Sequence, residues 1–208
     1  MKPGPAPDPR EFFTQTIPRQ FNASLDAQEK LGEAGRTVLE AMRAVDATIR
    51  IEVRGAGGGS FLLNIREGRM SAGDTPWFTP FLTVVQDRPA FEKLARESGD
   101  SALALLGGLS GLTGEMRLTR KRVESLGQLQ GAVHFSVSGE AGFALITHFG
   151  AGPLPDVPNA SIAVDDDAYR ELRSGKLDPA AAFMNGKIKV AGDMQLAMQL
   201  ALAALSAD

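Results

Sequence analysis

Few side chains in this sequence could do acid, base or metal chemistry. Two histidines, His134 and His148, and a run of three carboxylates, Asp165, Asp166 and Asp167, stand among 208 residues that include no cysteine. Without cysteine there is no disulfide, no thiolate nucleophile and no cysteine-ligated zinc or iron-sulfur centre. No serine sits in a glycine-flanked elbow, so a hydrolytic triad has no local signature. His134 falls on the polar side of an alternating run and His148 adjoins Phe149; neither is expected to be catalytic. The three aspartates directly precede Ala168, Tyr169 and Leu172. They read as a helix N-terminus, where the macrodipole favours negative charge.

Two further motifs point to phosphate and fall short of it. Residues 55–60 read GAGGGS, and backbone N–H groups in a glycine run can cradle phosphate. The run lacks the closing Gly-Lys-Ser/Thr and leads into an alternating apolar segment rather than a helix, so it reads as a turn. Arg120, Lys121 and Arg122 are followed by Glu124 and read as a solvated helix face. A formal charge of -3 and an isoelectric point near 5.5 leave no basic field for nucleic acid. An enzyme is the least expected class, and neither cofactor nor metal is called for.

The elements that must position any site follow from periodicity. Residues 1–9 carry four prolines and a glycine and read as a flexible tail. Residues 10–24 read as a short helix showing Phe12, Phe13, Ile17 and Phe21, cut by Pro18. Leu31, Ala34, Val38, Leu39, Met42 and Val45 then recur at three and four, which predicts an amphipathic helix from Asp26 to Val45. The period switches to two at Ile49, Ile51 and Val53, and again at Phe61, Leu63 and Ile65. A hairpin about the glycine run is the simplest reading.

The pattern recurs about 84 residues later: Val133, Phe135 and Val137 alternate, Gly139 and Gly142 turn the chain, and Phe143, Leu145 and Phe149 return. With an offset of 78, residues 83–118 lie over 161–196 and 10 of 36 columns are identical, including Asp100 on Asp178, Gly108 on Gly186, Gly114 on Gly192, Met116 on Met194 and Leu118 on Leu196. A period of this length is a small domain rather than a solenoid unit. Two domains, 25–118 and 119–208, are therefore expected in tandem, joined through a helix at about 115–130.

The second copy resembles the sterol carrier protein domain, a lipid-binding α+β family. The resemblance is carried by Gly175, Lys176, Pro179, Ala182, Phe183, Gly186, Lys187, Ile188, Lys189, Val190, Gly192, Met194 and Leu196. It extends by way of the internal repeat to a degenerate first copy, where residues 109–112 replace Lys-Ile-Lys-Val by Leu-Ser-Gly-Leu. The resemblance implies a twisted, mainly antiparallel sheet covered by helices in each copy. It also implies non-catalytic binding or transfer of a lipid-like ligand, a fatty acid, acyl-CoA, sterol or isoprenoid, in an apolar tunnel.

The wall of that tunnel is placed at Phe135, Phe149, Ile162, Phe183, Met184, Ile188, Val190, Met194, Met198 and Leu202. Asp193 should cap a last helix from Met194 to Leu205 whose polar residues are few, so that it is buried on more than one side. Gly186 and Gly192 are expected where the chain enters and leaves the last strand, with positive φ or a tight backbone approach at one or both. Beside the lipid, the partners left open are a membrane met transiently, a second copy of the chain, and the enzymes of a ubiquinone-type biosynthetic complex. A module that binds protein and no ligand is the other alternative. The first residues show no signal or transit pattern, no apolar run reaches membrane-spanning length, and Ser206, Ala207 and Asp208 are no peroxisomal address, so a cytoplasmic location is expected.

Overall fold

The computed structural model describes residues 7–97, 118–139 and 142–205. The eroded segment 109–112, the repeat positions Asp100, Gly108, Gly114 and Met116, and most of the proline-rich tail lie outside the described residues.

Asp8 opens the first helix, its carboxylate accepting from the backbone N–H groups of Arg10 and Glu11. The helix then widens to a π turn over Phe12–Thr16 and continues as α1 (Ile17–Lys30). Pro18 was expected to cut this helix and does not. The π turn closes through the Ile17 N–H on the Phe12 carbonyl, leaving Pro18 in the first turn of α1, where a missing N–H costs little. The expected helix from Asp26 to Val45 is split instead. Gly32, at φ +58°, ends the first piece in a left-handed conformation, a tight turn runs over Gly32–Gly35, and α2 (Arg36–Arg43) begins anew. α1 therefore runs through the boundary expected at residues 24 and 25.

There follow β1 (Ala47–Arg54), β2 (Gly59–Arg66), β3 (Arg69–Gly73), β4 (Leu82–Asp87) and α3 (Arg88–Glu97). The second half comprises α4 (Arg120–Gly127), β5 (Gly131–Ser138), β6 (Phe143–Phe149), β7 (Ala160–Asp165), α5 (Asp166–Arg173), α6 (Pro179–Met184), β8 (Ile188–Gly192) and α7 (Met194–Leu205).

The two halves repeat their geometry in detail. β1 and β2 are antiparallel about a turn in which Gly58 N–H donates to the Gly55 carbonyl at 3.0 Å; β5 and β6 are antiparallel about a turn in which Gly142 N–H donates to the Gly139 carbonyl at 2.9 Å. Gly55 and Gly139 both have positive φ, +97° and +116°. β4 lies parallel to β1 with Val53 opposite Gln86, and β7 lies parallel to β5 with Val137 opposite Val164. Asp87 then accepts from the Ala90 N–H and Asp165 from the Ala168 N–H, starting α3 and α5 in the same way.

A separate sheet for each half was expected, and the strands form one. Its order is β3-β2-β1-β4-β6-β5-β7-β8, with β4 and β6 joined antiparallel from Leu82 opposite Phe149 to Gln86 opposite Leu145. The sheet is mixed and the fold α+β, and the larger of two apolar clusters among the described residues runs beneath it from Phe12 to Ala203. A strand edge left unpaired inside a two-lobed molecule exposes a row of N–H and C=O groups. Joining β4 to β6 satisfies both rows at once.

Candidate functional site

Because successive side chains of a strand point to opposite faces, the register decides which residues meet under the helices. Phe135, Ile162 and Val190 lie in one row across β5, β7 and β8; Val137, Val164 and Ile188 form the next. Phe149 stands two rows from Leu145 on the same inner face, opposite Gly131. Phe135, Phe149, Ile162 and Ile188 are buried, and Val190 packs against the cluster from a partly exposed position. Tyr169 of α5 closes one end, its ring centroid 5.4 Å from Phe143 and 6.2 Å from Phe135. Five of the ten residues read from sequence as the binding wall are thus brought together.

The other five point outward. Gly192, at φ +81°, ends β8 so closely against its neighbour that a Cβ would stand 2.4 Å from the Asn159 carbonyl oxygen; Gly186 has φ +69°. Positive φ or a tight approach was expected at one or both of these glycines; both have the first and Gly192 also has the second. Asp193 then caps α7 through the Leu196 N–H at 2.9 Å, as its position predicted. α7 lays Leu196, Ala197, Leu200 and Ala203 on the sheet, packing on β7, β8 and α4.

Met194, Met198 and Leu202, spaced by four, follow a second arc that is 43%, 60% and 66% exposed. Phe183 and Met184 on α6 are exposed as well. An apolar helix was expected to be buried on more than one side. A sheet and one flanking helix cover only part of its circumference, so the remaining apolar arc faces out. A carboxylate introduced at Met198 would meet solvent rather than an apolar interior. Beside this arc Ser125, Gln128, Leu129, Gln199, Leu202 and Ala203 line a cleft of about 320 Å³ between α4 and α7.

The ionisable groups are committed elsewhere. Asp165 is the cap of α5, and Asp166 and Asp167 both pair with Arg170. Lys187 pairs with Glu171 at 3.0 Å. His148 is buried on the outer face of β6, and burial lowers its pKa below the ordinary histidine value. Among the described residues no cluster of three or more histidine and carboxylate side chains could hold a metal, and no helix is long and apolar enough to cross a membrane.

Two buried polar residues of the inner face, Gln86 and Thr147, are absent from the sequence reading. Gln86 is 2% exposed, and among the described residues neither its Oε1 nor its Nε2 has a hydrogen-bond partner. The signal for it was present in the alternation: Leu82, Val84 and Gln86 share one face of β4.

A model of the SCP-2 sterol transfer family matches residues 91–204. The chain is 33% identical over 78 residues to hydroxysteroid dehydrogenase-like protein 2 of Bos taurus, covering 34% of this chain and 19% of that protein. It is 42% identical over 43 residues to peroxisomal multifunctional enzyme A of Dictyostelium discoideum, covering 21% of this chain and 10% of that one. The match thus spans no more than about a fifth of the length of these relatives. Among solved structures, sterol carrier protein 2 like 2 from Aedes aegypti aligns at 18% identity over 39% of this chain and 87% of its own, with a TM-score of 0.30. The sterol carrier protein domain 2 of Helicoverpa armigera aligns at 16% identity over 99% and 98%, with a TM-score of 0.21.

Proposed function

The chain belongs to the SCP-2 sterol transfer family, and from that premise we propose that it binds a lipid-like molecule without catalysis and carries it between sites. The observation that carries the proposal is the inner face of β5 to β8, where Phe135, Ile162 and Val190 form an apolar row on the face that α7 covers with the small residues Ala197 and Ala203 among its contacts. A chain laid along that row gains about 0.8 kcal/mol for each buried methylene, so a dozen carbons bind appreciably without a hydrogen bond. Selection by chain length is then loose, because one methylene is worth only about 1–3 kcal/mol.

The same reading takes the chain as two diverged copies of one unit, with boundaries near 25–118 and 119–208. It is supported by the paired glycine turns, the paired aspartate caps and the matching registers of the two halves. Native mass spectrometry of the purified protein, followed by organic extraction, tests the function. A bound lipid, or stoichiometric uptake of a fluorescent fatty acid, is expected. A ligand-free protein that takes up no apolar probe overturns the reading.

A second reading is favoured by the outward arc of Met194, Met198 and Leu202: the module binds another protein surface, a second copy included. Met198→Asp separates the two. If lipid uptake is absent and light scattering shows the variant falling from dimer to monomer, the interaction module stands. Unchanged mass with retained uptake leaves the carrier.

A further inference from the structure

We infer that Gln86 is the anchor for the polar end of the ligand, and that this end is an uncharged hydroxyl. The inference rests on the lipid-binding reading and adds to it a residue and a head-group chemistry. Along the inner face of the sheet the strands present Leu82 and Val84 on β4, Leu145, Thr147 and Phe149 on β6, and Ile51 and Val53 on β1, all buried and all apolar but Thr147, which stands opposite Val84. Gln86 stands in this field opposite Val53 on one side and Leu145 on the other. Its amide is buried, and among the described residues neither donor nor acceptor is used.

Such a group is costly. Each buried polar atom without a partner destabilises the fold by about 1–3 kcal/mol, and nearly all such atoms in folded proteins are satisfied. The matching position of the second half, where β7 faces Val137, is occupied by Val164; the fold therefore accepts an apolar side chain at this place.

The amide also states what it would take. Nε2 offers N–H donors and Oε1 accepts, so a partner that satisfies both must itself give and receive a hydrogen bond. A hydroxyl does so. A carboxylate only accepts, which would leave Oε1 unpaired and facing negative charge. The Lys93 ammonium lies 5.2 Å from the centroid of the Phe143 ring, two positions along β6 from Leu145. The experiment must therefore separate an alcohol head from an acid head.

The test is displacement of bound diphenylhexatriene, a headless hydrocarbon fluorophore, by 1-hexadecanol and by palmitate, for the full chain and for Gln86→Leu and Gln86→Met. Diphenylhexatriene should bind all three proteins alike. Hexadecanol should displace it from the parent protein at concentrations at least tenfold lower than from either variant, and palmitate should distinguish the three much less. Both variants should melt at or above the parent temperature, because an unpaired amide has been removed. Equal displacement by hexadecanol from all three proteins overturns the anchor. Loss confined to palmitate overturns the hydroxyl and makes the head an acid. Melting lowered in both variants shows that the amide has a structural partner instead, and also overturns it. If diphenylhexatriene fails to bind the parent protein, the lipid-binding reading itself falls.

Discussion

The two halves of the sheet solve the same backbone problem with the same residues and then differ where side chains meet. Gly55 and Gly139 turn the hairpins, Asp87 and Asp165 start the helices, and Phe91 and Tyr169 lie buried one turn later. Opposite Val53 the first half sets Gln86; opposite Val137 the second sets Val164. On the outer face Thr48 is opposite Asn64, and their side chains are bonded at 2.7 Å; the matching pair of the second half is Ala132 opposite His148. Backbone positions that need a glycine or a cap admit few substitutes. Positions that need only volume and a face admit many, and the two halves differ there.

The largest effects should come from the buried rings. Phe91→Ala and Tyr169→Ala each remove an aromatic side chain from one continuous cluster, and each should destabilise by about 3–5 kcal/mol. Since β4 and β6 share a ladder, both variants should unfold in urea through a single transition that moves as a whole. Two transitions, with only one displaced by either substitution, would break the comparison and make the halves independent.

The glycine turns sharpen it at a smaller scale. Gly55→Ala and Gly139→Ala both place a Cβ at a φ that side chains avoid, which costs about 1–2 kcal/mol. The added carbon would stand 4.0 Å from the Arg88 Cβ in the first turn and 3.1 Å from the Asp166 Cβ in the second. Gly139→Ala should therefore cost more than Gly55→Ala in thermal melts. The reverse order would mean that the second turn yields more readily than the first.

Much of this was legible in the sequence because it is local. Alternation at Ile49, Ile51 and Val53 fixes a strand, a glycine run fixes its turn, and Asp193 before an apolar run fixes a helix start. The joining of β4 to β6 was not legible, because neither strand's pattern states which neighbour it takes. Nor was the passage of α1 through Pro18, which depends on a π turn that no periodicity announces. The grouping of the ten residues was half legible for a related reason. Strand register fixed Phe135, Ile162 and Val190, whereas composition alone could not say which arc of α7 the sheet would cover, and Met194, Met198 and Leu202 fell outside it.

The smallest effect concerns the outer face, where Asn64 and His148 occupy matching places. Asn64 accepts from the Thr48 hydroxyl and the Trp77 N–H and donates to the Thr75 carbonyl, and none of these bonds changes with pH. His148 is buried, and desolvation lowers its pKa. The folded protein therefore holds the imidazole neutral at a pH where the unfolded chain, with a histidine pKa of about 6.5, has begun to protonate. The unfolded state then binds more protons, so stability falls as pH falls. The contribution is complete above about pH 6.5 and declines as pH drops through the unfolded value toward the lower folded one. Urea midpoints measured from pH 7.5 down to pH 5 should fall for the parent protein and fall less steeply for His148→Asn, which copies the neutral side chain of the first half. Parallel slopes in the two proteins would show that His148 titrates alike in the folded and unfolded states, and that the two outer faces differ in shape without differing in their response to acid.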